Sequence, residues 1–259
     1  MEVCTMTEAI LFELRGPVAL ITINRPESRN AINAEVRAGL FAAWKRFEEE
    51  PSARVAILTG AGDKAFCAGM DLKEASATAL KVPPRGFIPA LGDAIQVSKP
   101  TIAAVNGMAM AGGWLFAQMC DLCVAAEHAT FAITEARVGR GTPWAAPLIH
   151  MLPQRIMMEL LLTGEPMSAV RLSELGYINY VVPREQLLPR SFELAQRIAA
   201  NAPLTVRACR ALVYAATETG RTQALRTGDT LFEPVYLSAD AQEGPRAFAE
   251  KRAPVWQGK

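Results

Sequence analysis

Thr101-Ile102-Ala103-Ala104-Val105-Asn106-Gly107-Met108-Ala109-Met110-Ala111-Gly112-Gly113 is the stretch on which the fold turns. Its first five residues form a short apolar run of strand composition. The small residues that follow make a turn that leads into a short helix over 112–119. Small residues let backbone approach a ligand closely. A helix beginning at Gly112 would aim N–H groups without intrahelical acceptors at that ligand. A second segment has the same form: a buried strand over 55–59 is followed by Ala65-Phe66-Cys67-Ala68-Gly69-Met70-Asp71-Leu72. Two such turns face to face form an oxyanion hole, in which backbone donors meet developing negative charge. Either segment alone reads equally well as a tight turn.

Outward from this stretch, short strands alternate with helices. Residues 10–14 and 18–23 are β-rich runs around Gly16-Pro17, the composition of a hairpin turn. Asn33 suits a helix N-cap and is followed by Val36, Leu40, Trp44 and Phe47 on one face, up to Pro51. A helix is expected over 88–97, after a long loop, and strands over 122–126 and 130–133. From 151 the pattern becomes helical: 154–162, 169–175, 185–200, 204–216, 222–237 and 245–252, interrupted by a strand at 180–182. No Gly/Ser linker or low-complexity segment divides the chain. The reading is an α/β fold of repeated strand–strand–helix units with a helical C-terminal region.

Bulk properties exclude several classes. With 259 residues, 51% hydrophobic and 20% charged, the chain can bury a full core. Apolar residues never run for the ~18 that span a membrane. Glu2 and Glu8 flank a mixed stretch that lacks the regions of a signal peptide, so a soluble, cytoplasmic protein is expected. Net charge is +1, with Lys and Arg scattered, which leaves no basic face for nucleic acid. Cys4, Cys67, Cys120, Cys123 and Cys209 are an odd number at irregular spacing, against a disulfide framework. Cys120-x-x-Cys123 stands alone among apolar neighbours and reads as buried thiols rather than a metal or redox site. His128 and His150 are the two histidines, and neither lies in a zinc-binding helix motif or near a serine elbow. No metal is expected.

Gly60-x-Gly62-x-x-Ala65 after a strand approaches a dinucleotide-binding fingerprint. That motif requires a helix to open within it. Here Lys64-Ala65-Phe66-Cys67-Ala68-Gly69 has no helical start, and no acidic residue ends a following strand.

Taken together, the chain resembles the enoyl-CoA hydratase/isomerase superfamily, the crotonases, over nearly its whole length. The resemblance is carried by Asn24-Arg25-Pro26 with Asn30-Ala31-Ile32-Asn33, by 66–72, by Lys99-Pro100 with 101–107, and by Gly112-Gly113. It continues through Met119-Cys120-Asp121, Leu162-Thr163-Gly164 and Ala247-Phe248-Ala249-Glu250-Lys251-Arg252. It implies a spiral of ββα units over 1–199 and a helical trimerisation region over 200–259, as a homotrimer or dimer of trimers. It implies an acyl-CoA substrate, with CoA entering as part of that substrate and no separate cofactor. By position, the oxyanion donors would be the N–H groups of Ala68 and Gly112. CoA would lie against Arg29, Asn30, Ala31, Phe66, Ala68 and Asp71. Phe248 and Lys251 match positions that a neighbouring subunit often contributes to CoA, although helix packing and a solvated charge serve equally well for them.

The resemblance also exposes a departure. Hydratases of the family place one Glu shortly after the second glycine turn and another after the next strand pair. Leu115 occupies the first position and Glu135 the second. Leu115 can neither accept nor donate a proton. A single carboxylate resembles the family's Δ3,Δ2-enoyl-CoA isomerases, with Glu135 as sole acid/base. A hydratase, hydratase-lyase or thioester hydrolase stays open, with Tyr177 or Tyr236 as a second proton donor, and so does a catalytically silent acyl-CoA binder. The run Gly139-Arg140-Gly141-Thr142-Pro143-Trp144 replaces the usual glycine-rich turn. Met70, Trp114, Leu115, Arg140 and Trp144 are the candidate acyl-pocket residues, with both tryptophans as walls and Arg140 as a partner for a substrate carboxylate or for Glu135.

Overall fold

A computed structural model of the chain describes residues 2–79 and 81–259; the side chains of residues 2–7, Cys4 among them, lie outside the described residues. The chain opens with β1 (Glu2–Thr7), β2 (Ile10–Arg15) and β3 (Val18–Ile23), an antiparallel meander. Gly16-Pro17 forms the two-residue turn between β2 and β3, with Gly16 at φ +60°. Helix α1 (Ala34–Glu49) follows. Asn33 caps it by accepting from the Val36 N–H at 2.9 Å. Val36, Leu40, Trp44 and Phe47 are all buried against the core, as their spacing predicts.

Three strand–strand–helix units come next. The first is β4 (Val55–Gly60), β5 (Ala65–Cys67) and α2 (Leu72–Ala77). The second is β6 (Thr101–Val105), β7 (Met108–Met110) and α3 (Gly112–Gln118). The third is β8 (Leu122–Ala126), β9 (Thr130–Ala132) and, after two 3-10 segments, α4 (Gln154–Thr163). In every unit the first strand joins a seven-stranded sheet and the second joins a smaller one. The large sheet runs β1-β2-β3-β4-β6-β8-β11, with β11 at Tyr180–Val182. The small sheet runs β10-β9-β7-β5, with β10 at Met167–Ser168. From β3 to β11 the large sheet is parallel, and β4 and β6 are buried along their whole length. Continuous apolar strands of this kind belong to a parallel sheet covered on both faces. One face meets the main core with α1 and α3, and the other is covered by α6 (Leu187–Ala199). The repeated passage from large sheet to small sheet to helix is the ββα spiral.

The C-terminal helices are α7 (Pro203–Glu218), α8 (Arg221–Tyr236) and α9 (Ala239–Ala249), with α5 (Ala169–Glu174) earlier in the chain. Asp121 ties α7 to the sheets. Its carboxylate accepts from Arg210 Nε at 2.8 and 2.9 Å, from Tyr214 Oη at 2.8 Å, and from the Thr101 N–H at 2.8 Å. Burial and the neighbouring Asp121 charge push the Tyr214 phenol up, so it stays a donor.

The helix expected over 88–97 does not form. The segment is a set of turns with one bridge between Leu91 and Ile95. Pro89 and the left-handed Gly92 (φ +84°) break the apolar spacing that suggested a helix. The last helix covers 239–249 rather than 245–252, because Ser238 caps it by accepting from the Ala241 N–H. Pro245 therefore lies inside the helix instead of starting it. Strands β5, β7 and β10, of two or three residues, and the six-residue helix α2 escaped the sequence reading, since elements this short carry no measurable period.

Candidate active site

The two glycine turns pack directly on each other. A Cβ built on Gly113 would overlap the Cys67 carbonyl and lie 3.1 Å from Cys67 Cβ. A Cβ on Gly69, which is itself at φ +87°, would lie 2.8 Å from the Met110 carbonyl oxygen and 3.4 Å from the Gly112 nitrogen. Glycine is thus required at the seam. Two buried asparagines hold the preceding loop. Asn30 Nδ2 donates to the Ala61 and Ala65 carbonyls, and its Oδ1 accepts from the Arg25 N–H. Asn106 Oδ1 accepts from the Gly60 N–H, and its Nδ2 donates to the Gly62 and Ala65 carbonyls. The loop that resembled a dinucleotide fingerprint is therefore braced by side chains from two other segments.

The donors at the seam differ from those expected in one respect. The Ala68 N–H already donates to the Arg29 carbonyl at 3.0 Å, so Ala68 is not the free donor that matching by position assigned. Its left-handed partner Arg29 (φ +52°) turns that carbonyl toward it. The amide left open on this turn is that of Met70. The Gly69 carbonyl accepts from the Ile32 N–H at 2.8 Å, and a trans peptide directs its N–H opposite to its C=O. The Met70 N–H therefore points away from Ile32, and no described residue accepts from it. The Gly112 N–H, across the seam, is likewise without an acceptor among the described residues. Just before it, Ala111 adopts φ +51°, ψ −121°, a region that glycine favours. Strain of this kind costs about 1–3 kcal/mol, against roughly 0.5–1 kcal/mol for a glycine's extra freedom in the unfolded chain. Ala111→Gly is accordingly expected to raise stability by about 1 kcal/mol, measurable by urea unfolding.

Glu135 begins the 3-10 segment after β9 and is 8% exposed. Its Oε1 accepts from the indole Nε1 of Trp144 at 2.9 Å, and its Oε2 is buried with no hydrogen-bond partner. Burial raises its pKa above the ordinary carboxylate value, while the Trp144 donor opposes that rise. Arg137 is not its counter-ion, since that guanidinium pairs with Glu165 at 2.6 Å. Leu115, on α3, is buried and supplies no second proton-carrying group.

Other candidate residues divide. Arg29 is exposed, Ala31 is half-buried, and the Ala31 carbonyl accepts from Arg25 Nη1. Asp71 caps α2 and pairs with Arg25 at 3.3 Å. Phe66 is fully buried in the core, so its side chain offers no surface for CoA, and the Asn30 side chain is spent on the loop. Trp114 is not a pocket wall. It is fully buried, edge-on to Phe131 and Tyr177 at 5.4 and 5.7 Å. Tyr177 belongs to the same aromatic core, and burial pushes its phenol well up. Tyr236 is exposed on the last turn of α8. Arg140 is exposed, and its N–H donates to the Glu135 carbonyl at 3.0 Å. Phe248 is 87% exposed, and Lys251 is exposed in a left-handed turn after α9. Cys67, Cys120 and Cys123 are buried; desolvation pushes the first and last up to about 12, where they are inert thiols. Two features were missed from sequence: the indole donor on Glu135 and the buried Gln118, the one polar side chain in α3.

Comparison with known proteins completes the assignment. A family model described as enoyl-CoA hydratase/isomerase matches residues 13–259. The chain is 40% identical to enoyl-CoA hydratase EchA19 of Mycobacterium tuberculosis, over 96% of either chain. It is 39% identical to the carnitinyl-CoA dehydratase of Salmonella typhi, over 98% of this chain and 100% of that one. Among solved structures, it is similar to enoyl-CoA hydratase EchA1 from Mycobacterium marinum, with a TM-score of 0.91 at 38% identity, covering 98% and 100% of the two chains. With a parallel ββα spiral, two abutting glycine turns and these relatives, the chain belongs to the enoyl-CoA hydratase/isomerase family.

Proposed function

We propose that the chain shifts a proton on an enoyl-CoA thioester, with Glu135 as its one acid–base group and the Met70 and Gly112 N–H groups as donors to the thioester oxygen. The observation that carries this reading is Glu135 Oε2, a buried carboxylate oxygen with no hydrogen-bond partner. It takes the α-proton of a 3-enoyl-CoA, the C–H electron pair moves into the enolate, and the negative charge gathers on the thioester oxygen. Two amide donors there each contribute about 3 kcal/mol of transition-state stabilisation. The same carboxyl then returns its proton at the γ-carbon, which leaves a 2-enoyl-CoA. With Leu115 in place of a second carboxylate, one group carries the proton both ways.

CoA enters as part of the substrate and runs past Arg29, Ala31, Ala68 and Asp71, with the acyl group toward Met70, Leu115 and Trp144. Phe248 and Lys251 reach a neighbouring chain's CoA within a homotrimer or dimer of trimers, which light scattering would read as a mass of three or six chains. No separate cofactor takes part.

A second reading, addition or removal of water, is favoured by the relatives, one named a hydratase and the other a dehydratase. Supplying a 3-enoyl-CoA and a 2-enoyl-CoA separately in heavy-oxygen water decides between the two. The isomerase reading requires product from the 3-enoyl-CoA without heavy oxygen; label in the product rejects it. On either reading the rate should fall on acidification as Glu135 is protonated. Because burial raises its pKa, the fall comes at higher pH than the ~4.3 of a free glutamate. A kcat/KM profile against pH measures this.

No described helix is long and apolar enough to cross a membrane.

A further inference from the structure

Gln118 is an anomaly in its helix. It ends α3, whose other side chains are apolar, and it is only 5% exposed. Its Nε2 donates to the Trp144 backbone carbonyl at 2.5 Å, while its Oε1 is buried with no partner. A Met or Leu would fill this space without leaving an acceptor unpaired, and an unsatisfied buried group of this kind calls for an explanation. Trp144 is the connection. Its backbone is held by Gln118 and its indole N–H donates to Glu135 Oε1 at 2.9 Å. The chain leading into it, Gly139-Arg140-Gly141-Thr142-Pro143, carries a left-handed Gly139 and a second glycine, so local backbone alone constrains it weakly. Besides burial and Glu135's own backbone, the indole is what acts on the Glu135 carboxyl.

We propose that Gln118 is a positioning residue: by holding Trp144 it fixes the indole donor on Glu135 Oε1 and so leaves Oε2 as the oxygen that meets the substrate. Gln118 touches neither the substrate nor the carboxylate. It replaces no lost acid; it acts one turn beyond Leu115 on the same helix, through Trp144. This rests on Glu135 being the base, and the test separates the two ideas.

The experiment measures exchange of the α-hydrogen of a saturated acyl-CoA with heavy water, a readout shared by proton shift and hydration. It compares the wild type with Gln118→Met, Trp144→Phe, the double variant and Glu135→Gln, each first checked for a cooperative melt and for acyl-CoA binding. Gln118→Met is expected to slow exchange at saturation by about 10- to 100-fold, the scale of a misplaced catalytic group, with KM little changed. The acidic limb of its pH profile should move upward, because a carboxylate that loses a donor holds its proton more tightly. Trp144→Phe should do the same, and the double variant should be no worse than the worse single one, as for two members of one chain of contacts. A Gln118→Met protein with the wild-type rate and pH limb, beside an inactive Glu135→Gln protein, overturns the positioning role and leaves the base standing. A lowered melting midpoint with the wild-type rate and limb also overturns it, since Gln118 would then only support the fold. Exchange that survives in Glu135→Gln overturns the base, and the positioning role with it.

Discussion

Glu135→Gln should lower turnover by about 10²–10⁴-fold, the usual contribution of a positioned acid–base group, while acyl-CoA affinity changes little. Gln keeps an oxygen that can accept from the Trp144 indole, so the local bonding survives and the lost property is the ability to carry a proton. Stability should not fall. The folded-state pKa of Glu135 lies above its unfolded value, so the native state binds the extra proton and is destabilised as pH rises through that interval. A neutral side chain removes that cost at neutral pH. Steady-state kinetics beside equilibrium binding of a saturated acyl-CoA would check the first claim, and urea unfolding at neutral pH the second. Unchanged turnover would remove Glu135 from the chemistry.

Gly113→Ala should be strongly damaging, since among the glycines whose surroundings are described it brings an added methyl nearest to another atom. Helix propensity alone favours Ala over Gly by about 1 kcal/mol within a helix such as α3. Against that, the new Cβ would sit inside the Cys67 carbonyl, a backbone atom that cannot rotate away. Overpacking commonly costs about 1–3 kcal/mol when side chains can yield, and here the two turns themselves must part, so a loss of about 3 kcal/mol or more is expected. Gly112→Ala supplies the contrast. Its Cβ would meet Ile32 Cδ1 at 2.9 Å, the end of a flexible side chain, and should cost much less. Urea midpoints for the two variants would measure the difference; equal midpoints would mean that the seam is softer than its geometry indicates.

How much of this was readable in the chain depends on the kind of information each feature needs. The strand at 101–105, the capped helix at 34–49 and the glycine turns could be read because residue type and spacing suffice. The position of Glu135 came from its resemblance to a family pattern. The free donor was misplaced onto Ala68 because donor availability depends on which way a peptide plane faces, and that is fixed by the distant Arg29 and Ile32 carbonyl and amide. Trp114 and Trp144 looked alike as large aromatics near the turns. Tertiary packing separates them: one closes an aromatic core with Phe131 and Tyr177, and the other reaches Glu135 through its ring nitrogen. Gln118 did leave a signal, as a lone amide at the end of an apolar helix. Its meaning required the position of residue 144, twenty-six residues later.

The alternation of strands between a large and a small sheet bears on which substitutions the fold tolerates. Each time the chain leaves the small sheet it passes outside both hydrogen-bonded ladders, and Met70, Gly112 and Glu135 all lie two or three residues past a small-sheet strand. A side chain exchanged there, or on the first turn of α3 where Leu115 lies, changes the surroundings of the site while every ladder stays paired. Substitutions at these places are therefore expected to alter the chemistry of the site at little cost to the sheets that carry it.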